Sequence, residues 1–294
     1  MLNRILVIDG TYLAYKSYYA TLHNPVAVLK NSKGESTNEI VGFFNVFISL
    51  VNNFVPSHVF IAFDSQVKTF RHETLQDYKA NRKKASPDFY KQLSSIQKLL
   101  NMLNIKNQFV NGFEADDIIA KIVSMFSSEA EILIYSGDQD LNQLISDNVS
   151  IIKKIKSETV ILDKTNFKNY YDFNPNQVID YKAIVGDSSD NFKGVAGLGT
   201  KSAIELLSIY GTLENIYFNL DKLKPSVKEK LIANKEEALR DKYLATLRTD
   251  FDIWVQELKE ISLENFKLSE EAEKFLNELE LKVIKNKLTY WTKY

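Results

Sequence analysis

Short apolar runs recur in the first half of the chain, and polar residues bound each of them. Runs of this kind predict strands over residues 5–8, 59–63, 132–135 and 150–155. Apolar residues at helical spacing predict helices over residues 89–103 and 115–126. Strands that alternate with helices are typical of an α/β fold, with a mostly parallel central sheet flanked by helices.

The strand pattern fades after about Asn174, and helical spacing dominates from there on. It predicts helices over residues 176–184, 200–210, 227–249 and 270–286. We therefore expect an α/β unit over residues 1–173 and a helical region over residues 174–294. Because no low-complexity linker or internal repeat separates the two, we expect the helical region to pack on the α/β unit.

The composition limits where the chain acts and what it can bind. Hydrophobic residues make up 45% of its 294 residues, which is enough for one large core or two smaller ones. No apolar stretch is long enough for a membrane span, and the N-terminus resembles a strand more than a signal peptide, so we expect a cytoplasmic protein. Since the chain has no cysteine, a bound metal must be held by oxygen atoms or by the 3 histidines.

Aspartates follow three of the predicted strands: Asp9, Asp64, and Asp138 together with Asp140. Ligands of open parallel sheets bind outside the carboxyl ends of the strands, so these side chains should converge. Any one of them alone could equally be a turn residue or a helix cap.

Two further acidic motifs lie near predicted helices. G-F-E-A-D-D places Glu114, Asp116 and Asp117 at the start of a helix, where the helix dipole alone favours acidic residues. G-D-S-S-D-N supplies Asp187 and Asp190, which by themselves would suit a solvated turn. Carboxylates brought together in such numbers repel one another unless cations neutralise them. Oxygen ligands alone select Mg²⁺ or Mn²⁺, and two such ions can bind a phosphate that is being cleaved.

Two segments have the composition of phosphate-binding sites, although the net charge of the chain is only -1. Within residues 71–84, Tyr78 lies beside Lys79 and close to Arg82, which combines a stacking ring with phosphate-binding cations. A bare basic run would more often be a solvated helix. The glycine-rich residues 194–202 precede a predicted helix, so their amides can bind an anion. They do not form a Walker loop, because Thr200 separates Gly199 from Lys201, but they suit a helical hairpin that holds DNA or a simple helix-capping turn.

Taken in order, I-D-G-T, F-D-x(5)-F-R, Y-K-A-N-R, E-A-D-D, S-G-D-Q-D-L, G-D-S-S-D-N and G-V-A-G-L-G-T-K-S resemble a known family across nearly the whole chain. That family is the 5′ nuclease domain of bacterial DNA polymerase I and the flap endonucleases, and the resemblance implies a free-standing form of the domain. The resemblance implies a 5′-3′ exonuclease and flap endonuclease that uses two metal ions in primer removal and DNA repair. Two alternatives are a haloacid dehalogenase-like phosphatase, whose nucleophilic aspartate would fall at Val7, and a non-catalytic protein that binds DNA structures.

The resemblance also implies a role for each motif. Lys79 and Arg82 would be catalytic within a helical arch near residues 71–100, and Tyr78 would stack on a splayed base. One Mg²⁺ would lie among Asp9, Asp64, Glu114, Asp116 and Asp117, and a second among Asp138, Asp140, Asp187 and Asp190, with Mn²⁺ able to substitute. DNA would contact Lys16, Arg71, Tyr78, Lys79, Arg82, Gly194, Gly197, Gly199, Lys201 and Ser202, with K⁺ at the hairpin.

The same resemblance implies the binding partners. We expect DNA with 5′ flaps, nicked or gapped duplexes and RNA primers on DNA as substrates, and no membrane association. We also expect a monomer, with a separate DNA polymerase as a partner. Lys16 replaces an arginine that is usual in the family, which exchanges bidentate phosphate binding for a point charge.

Overall fold

A computed structural model describes residues 3–22, 28–155 and 158–291. Its six-stranded sheet has the order β3-β2-β1-β4-β5-β6. The strands are β1 (Asn3–Asp9), β2 (His58–Ala62), β3 (Asn107–Gln108), β4 (Ala130–Tyr135), β5 (Val149–Ile155) and β6 (Glu158–Leu162). The first five strands pair in parallel, and β6 pairs with β5 in antiparallel fashion. The predicted mostly parallel sheet is confirmed.

Helices cover both faces of the sheet and continue beyond it. They are α1 (Gly10–Leu22), α2 (Asn38–Phe54), α3 (Phe70–Thr74), α4 (Pro87–Met102), α5 (Ala115–Phe126), α6 (Val178–Val185), α7 (Thr200–Tyr210), α8 (Leu213–Phe218), α9 (Pro225–Ala233), α10 (Lys235–Ala245), α11 (Glu270–Glu278) and α12 (Lys282–Trp291). Strand β1 is buried on both sides because its side chains alternate between two cores. Leu6 and Ile8 face the core with α1, α2 and α4, whereas Ile5 and Val7 face the core with α5.

The helices α6 to α9 enclose a smaller core of their own, which also takes in Ala238 of α10. After α10 the chain returns to the α/β part. Ile253 and Ile261 join the core on the α5 side of the sheet, and Leu276 of α11 and Leu288 of α12 join the core on the other side. The last forty or so described residues therefore complete the two cores that the first half of the chain begins.

Several elements differ from those that the sequence patterns predict. The predicted helix over residues 227–249 is two helices, α9 and α10, because Asn234 leaves the helical conformation between them with φ -118°. The predicted helix over residues 270–286 is likewise α11 and α12, separated at Glu280, whose φ is 59°. The division of the chain after residue 173 stays a prediction.

Within the described ranges, no helix is long and apolar enough to cross a membrane.

Candidate active site

Asp9 is the last residue of β1 and begins the site. Helix α1 starts immediately at Gly10, where a side-chain Cβ would lie 2.5 Å from the Phe63 ring, so only glycine fits this turn. The two oxygens of Asp9 are held from two directions. The Tyr12 amide donates to Oδ1 at 2.9 Å, and the Ser136 hydroxyl donates to Oδ2 at 2.8 Å. The carboxylate is thus fixed at the carboxyl end of the sheet.

Asp64 and Asp138 follow the strands on either side of β1. In the sheet register, Asp9 lies opposite Ala62 of β2, and Ile8 lies opposite Tyr135 of β4. Asp64 also accepts a hydrogen bond from the Ala115 amide at 2.8 Å, which joins it to the first turn of α5. Parallel pairing therefore brings these strand-end carboxylates and the start of α5 to one place.

A cavity of about 360 Å³ opens at this place. Its acidic lining, which we call the cavity group, consists of Asp9, Asp64, Glu114, Asp116 and Asp138, and Lys79 and Arg82 lie on its wall. Burial and the nearby charge of Asp64 raise the pKa of Asp9 to about 7. Burial and the charges of Asp138 and Asp9 raise the pKa of Asp116 as well. The cavity group thus concentrates negative charge that a cation would relieve.

Glu114 differs from its neighbours in the cavity group because cations touch it directly. Burial opposes its ionisation, but Lys79 and Arg71 outweigh burial and lower its pKa. The Lys79 ammonium donates to Glu114 Oε1 at 2.9 Å. Lys79 also has a φ of 53°, a left-handed conformation that is uncommon outside glycine and is often found at functional sites.

Three of the remaining acidic residues form a second cluster around one lysine. We call Asp140, Asp187 and Asp190 the lysine-bound group. The Lys182 ammonium contacts Asp140 and lies 2.7 Å from Asp187 Oδ2 and 3.9 Å from Asp190 Oδ2. Burial opposes ionisation of Asp187, but Lys182 lowers its pKa to about 2. Sequence reasoning missed Lys182, although it lies on α6 shortly before the G-D-S-S-D-N motif.

The glycine-rich loop between α6 and α7 contains glycines of two kinds. At Gly194 a Cβ would lie 2.4 Å from the Gly186 amide nitrogen, and the φ is 61°, so this glycine is required by the fold. At Gly199 a Cβ would meet no atom within 4 Å. Gly197, Gly199 and Lys201 are exposed, and Ser202 is half-buried in the first turn of α7. The exposed part of the loop is therefore free to approach another molecule.

Comparison with known proteins gives consistent results. Residues 4–172 match a family described as the 5′-3′ exonuclease N-terminal resolvase-like domain, and residues 173–274 match the 5′-3′ exonuclease C-terminal SAM fold. A 5′-3′ exonuclease of Mycoplasmopsis pulmonis is 37% identical over 84% of this chain and 82% of its own length.

The chain belongs to the 5′-3′ exonuclease family. The predicted family and the predicted nuclease class are thereby confirmed.

Other relatives of this exonuclease-family chain are longer. DNA polymerase I of Bacillus subtilis is 36% identical over 86% of the chain, which spans only 29% of that polymerase. Two solved structures share the fold. The T5 D15 protein has a TM-score of 0.69 at 22% identity, covering 96% of this chain and 100% of its own. The Rad2 catalytic core has a TM-score of 0.58 at 16% identity, covering 95% of this chain and 88% of its own.

The expected roles of Asp117 and Arg71 in this exonuclease-family site need correction. Asp117 is fully buried, and its two oxygens accept from the Arg71 guanidinium at 2.6 and 2.8 Å. The same oxygens also accept from the Glu114 and Arg248 amides. Arg71 is 2% exposed and donates its Nε to the Leu244 carbonyl. This pair lies behind the cavity, so Asp117 is not placed to bind a metal or Arg71 to bind DNA.

Tyr78 also lies differently from the expectation that it stacks on a splayed base. It is 4% exposed, its ring stacks on Phe192, and its hydroxyl donates to Glu114 Oε2 at 3.0 Å. The ring is therefore packed inside the protein. Its neighbour Arg82 donates to Asp190 Oδ1 at 2.9 Å and keeps an exposed side chain.

The range expected for a helical arch divides into two parts. Residues 87–102 form α4, whose Phe89, Ile96 and Leu99 are buried in the core beside α2. This half is a core helix. Residues 71–86 instead contain most of α3 and the turns that follow it. From these turns, Lys79 contacts Glu114 and Arg82 contacts Asp190. Lys16, on α1, is exposed and donates to the Tyr135 hydroxyl at 2.8 Å.

The acidic residues are gathered but not tightly converged. Among the described residues, no three acidic or histidine side chains are arranged to hold one metal ion. The chemistry of the site nevertheless suits a hard cation. Every candidate ligand atom is a carboxylate oxygen, and the carboxylates of the cavity group repel one another. An ion would draw such oxygens together.

Val7, where a haloacid dehalogenase-like phosphatase would carry its nucleophile, is an apolar residue buried in the core. It can form no aspartyl-phosphate, so the geometry gives the phosphatase alternative no support.

Proposed function

We propose that this member of the 5′-3′ exonuclease family removes nucleotides from 5′ ends and cuts 5′ flaps in DNA by hydrolysing phosphodiester bonds. The observation that carries the proposal is the cavity at the carboxyl end of the sheet, where five carboxylates face Lys79 and Arg82. An acidic floor binds cations and a basic wall binds phosphate, so one cavity provides both requirements of phosphodiester cleavage. Nicked and gapped duplexes and RNA primers on DNA belong to the same proposed substrate class.

We assign two Mg²⁺ ions to the site, with Mn²⁺ able to replace them. Asp9, Asp64, Glu114, Asp116 and Asp138 would hold the first ion, and Asp140, Asp187 and Asp190 would hold the second. The family resemblance assigns Asp138 to the second ion, but we move it to the first because it lines the same cavity as the other four. When bound, such ions activate a water and stabilise the charge that develops on the phosphate and the leaving oxygen. The T5 D15 protein was co-crystallised with metal ions, which supports this assignment.

The chain's own basic residues position the phosphate. Lys79 is bound to Glu114 and Arg82 to Asp190. Both cations thus lie at the cavity before a substrate enters, and each can exchange a carboxylate oxygen for a phosphate oxygen. Lys79 supplies a point charge, whereas Arg82 can bind two oxygens at once. Residues 71–86 would form the moving part of the proposed arch.

The loop between α6 and α7 would hold the duplex. Its exposed glycines allow a phosphate backbone to approach the amides at the start of α7, and Lys201 adds a positive charge there. We place a K⁺ ion at this loop as well. Solved relatives of the fold include the T5 D15 flap endonuclease with DNA and the Rad2 core with a DNA substrate, which supports DNA as the ligand. The cytoplasmic location, the monomeric state and a separate polymerase stay predictions.

The test uses a flap substrate labelled at its 5′ end, incubated with Mg²⁺ and, separately, with EDTA. We expect release of the labelled flap in Mg²⁺ and none in EDTA. A non-catalytic binding protein would retard the substrate in a gel in both conditions without cutting it. Rapid hydrolysis of a small phosphate monoester, with the flap left intact, would contradict the proposal.

A further inference from the structure

Lys182 places a fixed positive charge inside the lysine-bound group. Its ammonium contacts Asp140 and lies 2.7 Å from Asp187 Oδ2 and 3.9 Å from Asp190 Oδ2. The Lys182 side chain is 10% exposed, so solvent screens these contacts weakly. One ammonium therefore neutralises carboxylates that come from two distant segments of the chain.

The ammonium contacts this group at Asp140 Oδ1 and Asp187 Oδ2. An ammonium has three donors in fixed directions, whereas a hard divalent cation binds oxygens all around it. The lysine-bound group thus keeps the capacity to bind a divalent cation, but a cation already occupies its centre.

Most carboxylates of the cavity group have no basic side chain in contact with them among the described residues. In the part of the chain that the structure describes, no ion pair is formed by Asp9, Asp64, Asp116 or Asp138, and only Glu114 contacts basic side chains. A divalent ion entering the cavity group meets four carboxylates that no described basic side chain contacts, although Lys79 and Arg82 lie on the wall beside them. An ion entering the lysine-bound group must instead replace an ammonium that already contacts them.

We propose that Lys182 is an internal counter-ion that competes with the second divalent ion for the oxygens of Asp140 and Asp187. Asp190 is instead already bound by Arg82. The consequence is ordered loading, in which the cavity group takes its ion first and the lysine-bound group takes its ion later and more weakly. Lys182 is then a positioning residue, since it acts through the carboxylates. This inference rests on the two-ion mechanism proposed above.

The direct test measures Mn²⁺ binding to the DNA-free protein from the electron paramagnetic resonance signal of unbound Mn²⁺. The wild-type protein should bind one ion tightly and a second weakly. Lys182→Met should raise the affinity for the second ion by at least ~10-fold, because close charge pairs couple by at least this amount. The affinity for the first ion should stay within ~3-fold of the wild-type value. An unchanged or weaker second ion in a folded Lys182→Met protein would overturn the proposal.

Lys153→Met is the matched control. Lys153 is also a buried lysine near these acids, but its ammonium donates to the Asp138 carbonyl at 3.3 Å and to Asn142 Oδ1 at 3.2 Å, not to a carboxylate. The Lys153→Met change removes one positive charge without removing a competitor for the carboxylates. The affinity for the second Mn²⁺ ion should therefore change by less than ~3-fold. Equal tightening in both variants would show a general charge effect and would refute competition.

A measurement on the wild-type protein covers the case in which Lys182→Met does not fold. Reductive methylation, read out by mass spectrometry, reports whether the Lys182 amine is accessible. Labelling should be slow without metal and should rise when Mn²⁺ saturates the second site, because the displaced amine becomes exposed. Labelling that stays the same or falls would exclude displacement. If no divalent ion binds at all, the proposed two-ion mechanism fails; if two ions bind without exposing Lys182, only this inference fails.

Discussion

The two acidic groups are built from the same kind of side chain, but the positive charge beside them differs. In the cavity group, burial and mutual repulsion raise the pKa of Asp9 and Asp116. In the lysine-bound group, burial still raises the pKa of Asp140 and Asp190, but at Asp187 Lys182 outweighs burial and lowers the pKa. Proximity of carboxylates alone therefore does not decide the pKa of each one, because a lysine that contacts a carboxylate can offset burial.

The difference follows from how each group is assembled. Strand ends and the start of α5 supply the cavity group, and at these positions backbone amides and hydroxyls fix the carboxylates. The lysine-bound group instead lies around Lys182, a residue of α6 that supplies the cation. In the competition that we propose, this one lysine lets the two neighbouring ion sites differ in affinity.

The largest effect should come from removing a carboxylate of the cavity group. We expect Asp138→Ala to lower the single-turnover rate of flap cleavage in Mg²⁺ by at least ~10³-fold, because an ion that stabilises the transition state is lost. Asp147→Ala is the control, since Asp147 is exposed and pairs with Lys164 at the surface. A folded Asp138→Ala protein that cleaves at nearly the wild-type rate would remove the cavity group from catalysis.

The next largest effect tests the basic residues of the cavity separately from its carboxylates. We expect Lys79→Ala to reduce kcat by roughly 10- to 10³-fold, with a smaller change in DNA affinity, because Lys79 lies where phosphate charge develops. Lys84→Ala, an exposed lysine of the same segment, should leave kcat close to that of the wild type. A variant that lost affinity while keeping kcat would place Lys79 outside the reacting centre.

A variant remote from both acidic groups tests whether binding can change without chemistry. Gly199→Val should weaken affinity for a flap substrate by about 10-fold and flatten its dependence on salt, because the side chain keeps a phosphate backbone away. The fold should tolerate the change, since no atom lies within 4 Å of the added Cβ. Binding is measured in Ca²⁺ over a range of salt, with Gly199→Ala as the milder control. Slower chemistry at unchanged affinity would contradict this role.

The smallest effect concerns stability and compares the protein with and without divalent ions. The pKa of Asp9 and that of Asp140 are raised to about 7, above the ordinary value of 3.8. The folded state therefore binds protons that the unfolded state has lost, and this stability disappears as the pH rises through about 7. In EDTA, Tm should fall by about 4 °C or more between pH 5 and pH 8, and Mg²⁺ should reduce the fall.

Asp9→Asn provides the control for that measurement, since its side chain does not titrate. The fall in Tm should be smaller in this variant. If Tm in EDTA rose between pH 5 and pH 8, carboxylate repulsion would not be what limits the stability of the metal-free protein.

Much of the sheet and of the acidic site could be predicted from sequence, because strand-end aspartates and buried apolar runs are local patterns. Strand β3 could not, since its two polar residues, Asn107 and Gln108, form no apolar run. Strand β6 is an antiparallel edge strand whose residues are mostly exposed, so it also lacks the pattern of a buried strand. The prediction likewise omitted α1 and α2.

The parts of the site that sequence reasoning missed depend on contacts between distant segments. Asp117 lies in an acidic helix start like its neighbours, and only the buried Arg71, 46 positions away, distinguishes its role. The role of Lys182 cannot be recognised from the sequence around it, because its partner Asp140 is distant in the chain. Strands β5 and β6 come between the two residues. Local patterns identify which residues are acidic, whereas the fold decides which of them are already neutralised.

The return of the chain to the α/β part after α10 has a consequence for how the protein is made. A ribosome completes α1 to α5 long before it reaches the residues that cover them, and N-terminal segments ordinarily fold first. Here Leu276 and Leu288 belong to the core that Leu6 and Ile8 begin. Until those last helices emerge, the nascent chain exposes the apolar faces that they will cover. Folding of the first half of the molecule should therefore be completed only after α11 and α12 have emerged, and stalling before α11 should leave a chain prone to aggregation.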